Sequence, residues 1–282
     1  MDHKDSAGTL EGGGYDAKKA LQFFKLAGEI ASFDAGGTVF SKNEITGRFS
    51  LKRNKMYLLL EGQVNLLAGG KFIAMVGPGE IFGEMASLSQ APRSASATAR
   101  CACRVISLDD KQFHSALKKQ PEFALMMMSV MIGRLRKSLA QVKHAGNKNQ
   151  ETPSGQLRLF DKKLLNGLVG ELGEDAVMNY EQGRVIMQEG QVGVLMYVLM
   201  DGRVSIVIND QTIEKIGPGG IFGEMALVDK GSRLASALAD TNCKLLAINR
   251  GAFLDLIKTN PEFGMSLLSA VGERARTTTA RI

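Results

Sequence analysis

The sequence predicts an α+β protein made of two copies of one unit, each an antiparallel barrel or sandwich of short strands flanked by helices. A ten-residue motif occurs twice, at a constant spacing of about 140 residues and without gaps, which indicates a duplicated domain. Around each copy, short apolar runs alternate with glycine-containing turns, a pattern typical of antiparallel sheets. Apolar residues at helical spacing precede and follow each group of strands.

Length and composition agree with two such domains. The chain has 282 residues, enough for two domains that each bury a core. It lacks an apolar run of about 18 residues and the layout of a signal peptide, so we expect a cytoplasmic protein with no membrane span. The net charge of +6 is compatible with nucleic-acid contact but does not establish it.

Composition also divides the chain. Residues 1–14 are polar and glycine-rich and predict a disordered tail, and residues 144–156 are turn-rich and predict a linker. The first domain is therefore placed at 15–143 and the second at 157–282.

The first domain should begin with a helix, because apolar residues from Tyr15 to Ile30 recur at helical spacing. Strands follow between Phe33 and Leu108, and small residues at alternate positions from Ala95 to Cys103 predict one strand with a tightly packed inner face. A second helix begins near Pro121, and its apolar face is interpreted as core or dimer interface. That face comprises Met127, Met131, Leu135, Leu139 and Val142.

The second domain repeats this order, from a leading helix over 157–172 to a last helix that runs from Pro261 to about Arg276. The first copy carries about six extra residues, and the basic segment Lys42–Lys55 surrounds this insertion. It is either a solvated loop or a docking surface for an acidic partner. The three cysteines are interpreted as small core residues, and no metal site is expected.

The repeated motif has the chemistry of an anion site beside a sugar. Gly83 and Gly223 follow a glycine-proline turn and permit close backbone approach to a ligand, and the residues after them favour a short helix with free N–H groups. An arginine after the next loop can clamp a phosphate with its planar fork. The glutamate would repel a phosphate, but it suits a sugar hydroxyl.

These residues resemble the phosphate-binding cassette of the cyclic nucleotide-binding domain, found in catabolite activators and in regulatory subunits of cyclic-AMP-dependent protein kinase. Matches to the cassette are Phe82, Gly83, Glu84, Pro92, Arg93 and Ala95 in the first copy, and Phe222, Gly223, Glu224, Arg233 and Ala235 in the second. The resemblance implies a β-roll of jelly-roll type with cyclic AMP as its ligand. It also implies that Glu84 and Glu224 hold the ribose 2′-hydroxyl while Arg93 and Arg233 hold the cyclic phosphate. The expected ligand-binding residues are Phe82, Gly83, Glu84, Met85, Ala86, Arg93, Ser94, Phe222, Gly223, Glu224, Met225, Ala226, Arg233 and Leu234.

Two details bear on the base. Relatives selective for cyclic GMP commonly have threonine where this chain has Ser94 and Leu234, so neither site is expected to read guanine. Ungapped counting places Ser138, Thr278 and Thr279 where catabolite activators carry hydroxyls that read adenine. The threonines could instead belong to a frayed terminus, and cyclic GMP or a cyclic dinucleotide remains open as ligand.

The sequence thus predicts a bacterial-looking sensor of cyclic AMP that signals to a protein partner by a ligand-induced conformational change. It shows neither a catalytic constellation nor a helix-turn-helix pattern, so we expect neither an enzyme nor sequence-specific DNA binding. A homodimer is left open. The alternatives are an interaction module whose pockets have lost their ligand, and a binder of nucleic acid or membranes that uses its basic surface.

Overall fold

The computed structural model describes residues 15–44, 54–89, 91–145 and 160–279, and within these ranges both predicted units are present. Asp16 caps the first helix, accepting hydrogen bonds from two backbone amides, and Asp109 forms a capping box with Gln112 at the third. The first domain comprises α1 (Ala17–Lys25), β1 (Glu29–Phe33), β2 (Thr38–Phe40), β3 (Lys55–Glu61), β4 (Val64–Ala68), β5 (Lys71–Val76), β6 (Ile81–Phe82), α2 (Glu84–Ser89), β7 (Ser96–Ala99), β8 (Cys103–Asp109), α3 (Asp110–Lys119) and α4 (Phe123–Ala145).

The second domain repeats this order, and from β3 and β11 onward its strands match those of the first at the spacing of the sequence repeat. A short 3-10 turn joins its leading helix to its first strand. Its elements are α5 (Lys162–Leu172), β9 (Val177–Tyr180), β10 (Val185–Met187), β11 (Leu195–Asp201), β12 (Val204–Ile208), β13 (Gln211–Ile216), β14 (Ile221–Phe222), α6 (Glu224–Asp229), β15 (Ser236–Ala239), β16 (Cys243–Asn249), α7 (Arg250–Thr259) and α8 (Pro261–Thr279).

Each domain folds its strands into a roll of two four-stranded antiparallel sheets. In the first, the strand orders are β1-β8-β3-β6 and β2-β7-β4-β5, and in the second they are β9-β16-β11-β14 and β10-β15-β12-β13. Aromatic rings fill the first roll, where Phe40, Tyr57 and Phe82 stack on one another. The predicted α+β class, with two tandem β-rolls flanked by helices, is confirmed.

Two local predictions were wrong. The single strand from Ala95 to Cys103 is divided, because the chain leaves one sheet at Ala99 and enters the other at Cys103. Cys101 is therefore exposed at the corner and is not the core residue that we predicted. The first helix does not extend to Ile30, which lies exposed in β1. The chain turns at Gly28, where an added β-carbon would lie 2.3 Å from Cγ2 of Ile106.

Helices α4 and α8 pack against each other in parallel and join the two domains. A β-carbon added at Gly264 would lie 3.5 Å from Cβ of Ala124, and one added at Gly272 would lie 2.9 Å from Cε of Met131. Residues at nearly equivalent positions of the repeat therefore face one another. Of the predicted apolar face of α4, Met127, Met131 and Leu135 are buried, and both methionines belong to a core shared with α8, so their interpretation as core residues is confirmed.

The cassette helices take part in this junction. Helix α8 contacts α2 of the first domain, and α4 contacts α6 of the second. Nη2 of Arg136 in α4 lies 2.9 Å from Oδ1 of Asp229 in α6. Each long helix therefore contacts the short helix that follows the motif glycine, Gly83 or Gly223, of the other copy.

Three predicted segments lie wholly or mainly outside the described residues: the tail at 1–14, the basic segment Lys42–Lys55 and the linker at 144–156. The domain boundaries remain predictions for the same reason.

Candidate functional site

The two motif glycines have backbone angles that favour glycine. Gly83 has φ of 74° and Gly223 has φ of 81°. A β-carbon would lie 2.9 Å from Nη1 of Arg93 at the first and 2.7 Å from Nη1 of Arg233 at the second. We expected these glycines to admit a ligand, which stays a prediction, and in the structure each makes room for the arginine of its own cassette.

Arg93 is a buried cation held by backbone oxygens. Its Nη1 donates to the carbonyl of Gly83 at 2.8 Å and its Nη2 to the carbonyl of Lys55 at 2.7 Å, while the guanidinium carbon lies 4.1 Å from the centre of the Phe40 ring. Burial lowers the pKa of the Arg93 guanidinium below its ordinary value. Its buried Nε has no hydrogen-bond partner among the described residues, so one donor of the fork is available to an anion.

Arg233 repeats this arrangement in the second copy. Its Nη1 donates to the carbonyl of Gly223 at 2.6 Å and its Nη2 to the carbonyl of Leu195. Burial again lowers the pKa of the guanidinium, and burial also raises the pKa of the neighbouring Tyr197 to about 12. Each arginine thus connects its motif glycine to the first residue of a central strand, β3 in the first copy and β11 in the second.

The motif glutamates are buried and ion-paired. Glu84 is the first residue of α2 and accepts a hydrogen bond from Nη1 of Arg134 in α4. Glu224 opens α6 in the same way, and Nη1 of Arg274 in α8 lies 2.8 Å from its Oε1. In each copy, the residue expected to accept a sugar hydroxyl is therefore tied to the long helix that follows the roll.

Arg274 has a second acidic partner. Its Nε lies 3.0 Å from Oε2 of Glu214 in β13, and its Nη2 donates to the carbonyl of Ile221. Burial opposes the charge on Arg274, but the two carboxylates outweigh it, so the pKa of the guanidinium lies above its ordinary value.

A cavity of about 180 Å³ lies beside the second cassette and brings most of the predicted residues of that copy together. Thr278, a predicted base contact, lines it, as does the adjacent Thr277. Helix α4 of the first domain supplies part of the wall through Leu135 and Leu139. From the predicted ligand-binding set, the lining includes Phe222, Gly223, Glu224, Met225, Ala226, Arg233 and Leu234.

The remaining predicted residues are placed as follows. Phe82 and Ala86 are buried beside the first cassette, Met85 is partly buried, and Ser94 is exposed. The side chains of Ser138 in α4 and Thr279 in α8 lie outside the described part of the structure, so their predicted contacts with the base remain predictions.

Sequence reasoning missed Arg134, Arg274, Glu214, Leu135 and Leu139 as site residues. The two arginines occupy equivalent positions of the repeat, and that equivalence was the available signal. Glu214 has no acidic counterpart in the first copy, where Ala74 takes its place, so the repeat could not reveal it.

The family is decided by comparison with known proteins. The sequence model of the cyclic nucleotide-binding domain matches residues 31–120 and 177–260, which together make up more than half of the chain. The chain belongs to the cyclic nucleotide-binding domain family. It is a tandem member, and each matched range contains one of the two cassettes described above.

Relatives come from bacteria and eukaryotes. The cyclic AMP receptor protein of Thermus thermophilus is 35% identical over 34% of this chain and 47% of its own length. The cAMP-dependent protein kinase regulatory subunit of Schizosaccharomyces pombe is 25% identical over 73% of this chain and 47% of its own. The chain thus spans about half the length of these two curated relatives. A solved structure of the regulatory domain of Toxoplasma gondii PKA with cAMP is 20% identical over 95% of this chain and 91% of that one, with a TM-score of 0.31.

Two further properties concern the described residues alone. None of their helices is long and apolar enough to cross a membrane. In the same ranges, no three His, Cys, Asp or Glu side chains are grouped as ligands of a metal ion would be.

Proposed function

We propose that this tandem cyclic nucleotide-binding protein is a regulatory sensor of cyclic AMP, which binds one nucleotide at each cassette and signals to a protein partner through α4 and α8. The observation that carries this proposal is the ion pair between cassette and helix in both copies, Glu84 with Arg134 and Glu224 with Arg274. A ribose hydroxyl that engages the glutamate competes with the arginine, so binding changes what holds the helix in place.

Three features support phosphate capture at the cassettes. Arg93 and Arg233 are buried and always charged, and their described hydrogen-bond acceptors are neutral carbonyls, so an anion would stabilise both. Nε of Arg93 is an unused buried donor. The motif glycines leave room for both guanidinium groups beside the cassette, where a side chain would collide with them.

Adenine is the base that the surroundings favour. Ser94 and Leu234 replace the threonine that is common in selective cyclic GMP sites, and Thr278 offers a hydroxyl in the second cavity. The names of the Thermus and fission yeast relatives also refer to cyclic AMP, whereas other relatives of this chain are named for cyclic GMP. The absence of enzymatic activity and of sequence-specific DNA binding, a bacterial origin, a cytoplasmic location, the effector and a homodimeric state remain predictions.

The packing of α4 and α8 suggests how the two sites communicate. Arg134 contacts the first cassette, and Arg136, two residues later, contacts Asp229 in the second. A movement of α4 caused by nucleotide at the first site would therefore reach α6 directly. Equal affinities at the second site with and without nucleotide at the first would contradict this coupling.

Calorimetric titration of cyclic AMP and cyclic GMP into the protein tests the proposal, with Arg93→Ala and Arg233→Ala as single-site variants. Wild type should bind two equivalents of cyclic AMP more tightly than cyclic GMP. Each variant should weaken one site by about ten- to a hundredfold, because it loses a charge-assisted phosphate contact. If neither nucleotide binds, the proposal fails, and salt-dependent binding to duplex DNA or anionic vesicles becomes the function to test.

A further inference from the structure

The second site contains a contact that the first lacks. Arg274 lies between two carboxylates, with Nη1 at 2.8 Å from Glu224 and Nε at 3.0 Å from Glu214. Glu214 belongs to β13, opposite Ile206 in the β12–β13 hairpin. Ala74 occupies the equivalent position in the first domain, opposite Leu66 in the β4–β5 hairpin. The two hairpins match in register, so the difference lies in the side chain and not in the backbone.

The arginines of the two sites also differ in exposure. The side chain of Arg134 is 40% exposed, whereas that of Arg274 is 18% exposed. When Arg134 loses Glu84, water can take over its stabilisation. Arg274 is less accessible to water, so its charge needs another acidic partner whenever Glu224 turns to a different group.

We infer that Glu214 is a positioning residue for ribose recognition at the second site. It keeps Arg274 neutralised while Glu224 accepts a hydrogen bond from the ribose 2′-hydroxyl. Without Glu214, Glu224 is the one carboxylate left to neutralise Arg274, so the carboxylate of Glu224 is less available to the sugar. This inference rests on the proposed binding of a cyclic ribonucleotide, and it assigns the two sites different means of reading the 2′-hydroxyl.

The test compares cyclic AMP with 2′-deoxy cyclic AMP by calorimetry in an Arg93→Ala background, where the second site is the intact one. The deoxy analogue should bind about tenfold more weakly, because it lacks one hydrogen bond to a charged group. In Glu214→Gln this ratio should fall to about threefold or less. A purely structural effect would weaken both ligands alike and leave the ratio unchanged, which would overturn the inference.

Two further variants complete the design. Glu262→Gln makes the same substitution at an exposed position of α8, and it should leave the ratio at about tenfold. In an Arg233→Ala background, Ala74→Glu gives the first site an equivalent acid and should raise its ratio by about twofold. This variant does not rely on the folding of Glu214→Gln, and an unchanged ratio would count against the inference.

The design separates this inference from the proposed function. If the Arg93→Ala protein binds neither nucleotide, the proposed function fails and the role of Glu214 in ribose recognition fails with it. If cyclic AMP binds and the ratio is the same with glutamate or glutamine at position 214, only the role of Glu214 is refuted.

Discussion

Replacement of Gly223 by alanine should lower both the free energy of unfolding and the affinity of the second cassette for cyclic AMP, because it displaces Arg233. Two effects combine in this variant. The backbone at Gly223 has φ of 81°, and a non-glycine residue there costs about 1–2 kcal/mol. The new β-carbon would also lie 2.7 Å from Nη1 of Arg233, so the buried guanidinium must move.

Moving the guanidinium weakens its hydrogen bonds to the carbonyls of Gly223 and Leu195. Loss of one such bond to a charged group costs about 1.5–3 kcal/mol. Together with the backbone term, the free energy of unfolding of Gly223→Ala should fall by about 2.5–5 kcal/mol. Cyclic AMP should bind the second site about ten- to a hundredfold more weakly.

Gly183→Ala is the matched control. Gly183, in the turn between β9 and β10, has φ of 83°, and an added β-carbon meets no atom within 4 Å. The Gly183→Ala protein should therefore lose about 1–2 kcal/mol in its free energy of unfolding and keep its affinity for cyclic AMP. Urea denaturation measures the first quantity and calorimetry in an Arg93→Ala background the second. If both variants bind as tightly as their parent, the close approach of Gly223 to Arg233 does not govern binding.

Three further predictions concern the junction of the two domains. Met131→Ala should lower the free energy of unfolding by about 2–5 kcal/mol in urea denaturation, because Met131 is buried between α4 and α8, whereas the exposed Met178→Ala should change it by less than about 0.5 kcal/mol. A double-mutant cycle of Arg136→Ala and Asp229→Ala should give a coupling energy of about 0.5–3 kcal/mol, and strict additivity would show that the two side chains do not interact. Leu139→Ala should weaken cyclic AMP at the second site about three- to tenfold in calorimetry and leave the first site unchanged, and an equal loss at both sites would contradict its assigned place in the wall.

Local pattern was sufficient for much of the fold. The motif and its repeat predicted the duplicated strands, the placement of Glu84 and Glu224 at the start of short helices, and the arginines beside them. Glycine, proline and alternating apolar residues act over a few positions, so their effects can be read directly. The strand predicted through Cys101 was wrong because the change of sheet depends on how the two sheets close into a roll.

Contacts across the fold could not be predicted in the same way. Arg134 and Arg274 lie fifty positions from the glutamates that they contact, and nothing in their immediate sequence distinguishes them from surface charges. Leu139 lines the site of the other domain only because α4 and α8 pack in parallel. To predict Glu214 as a site residue, one would need the register of the β12–β13 hairpin and the position of α8 beside it.

Equilibrium dialysis with labelled cyclic AMP tests the central claim most directly. The account predicts two molecules bound per wild-type chain, and none at the same concentrations when Arg93→Ala and Arg233→Ala are combined in one chain that still folds. Two molecules retained by the double variant, or none bound by wild type, would contradict the assignment of the two cassettes as the binding sites.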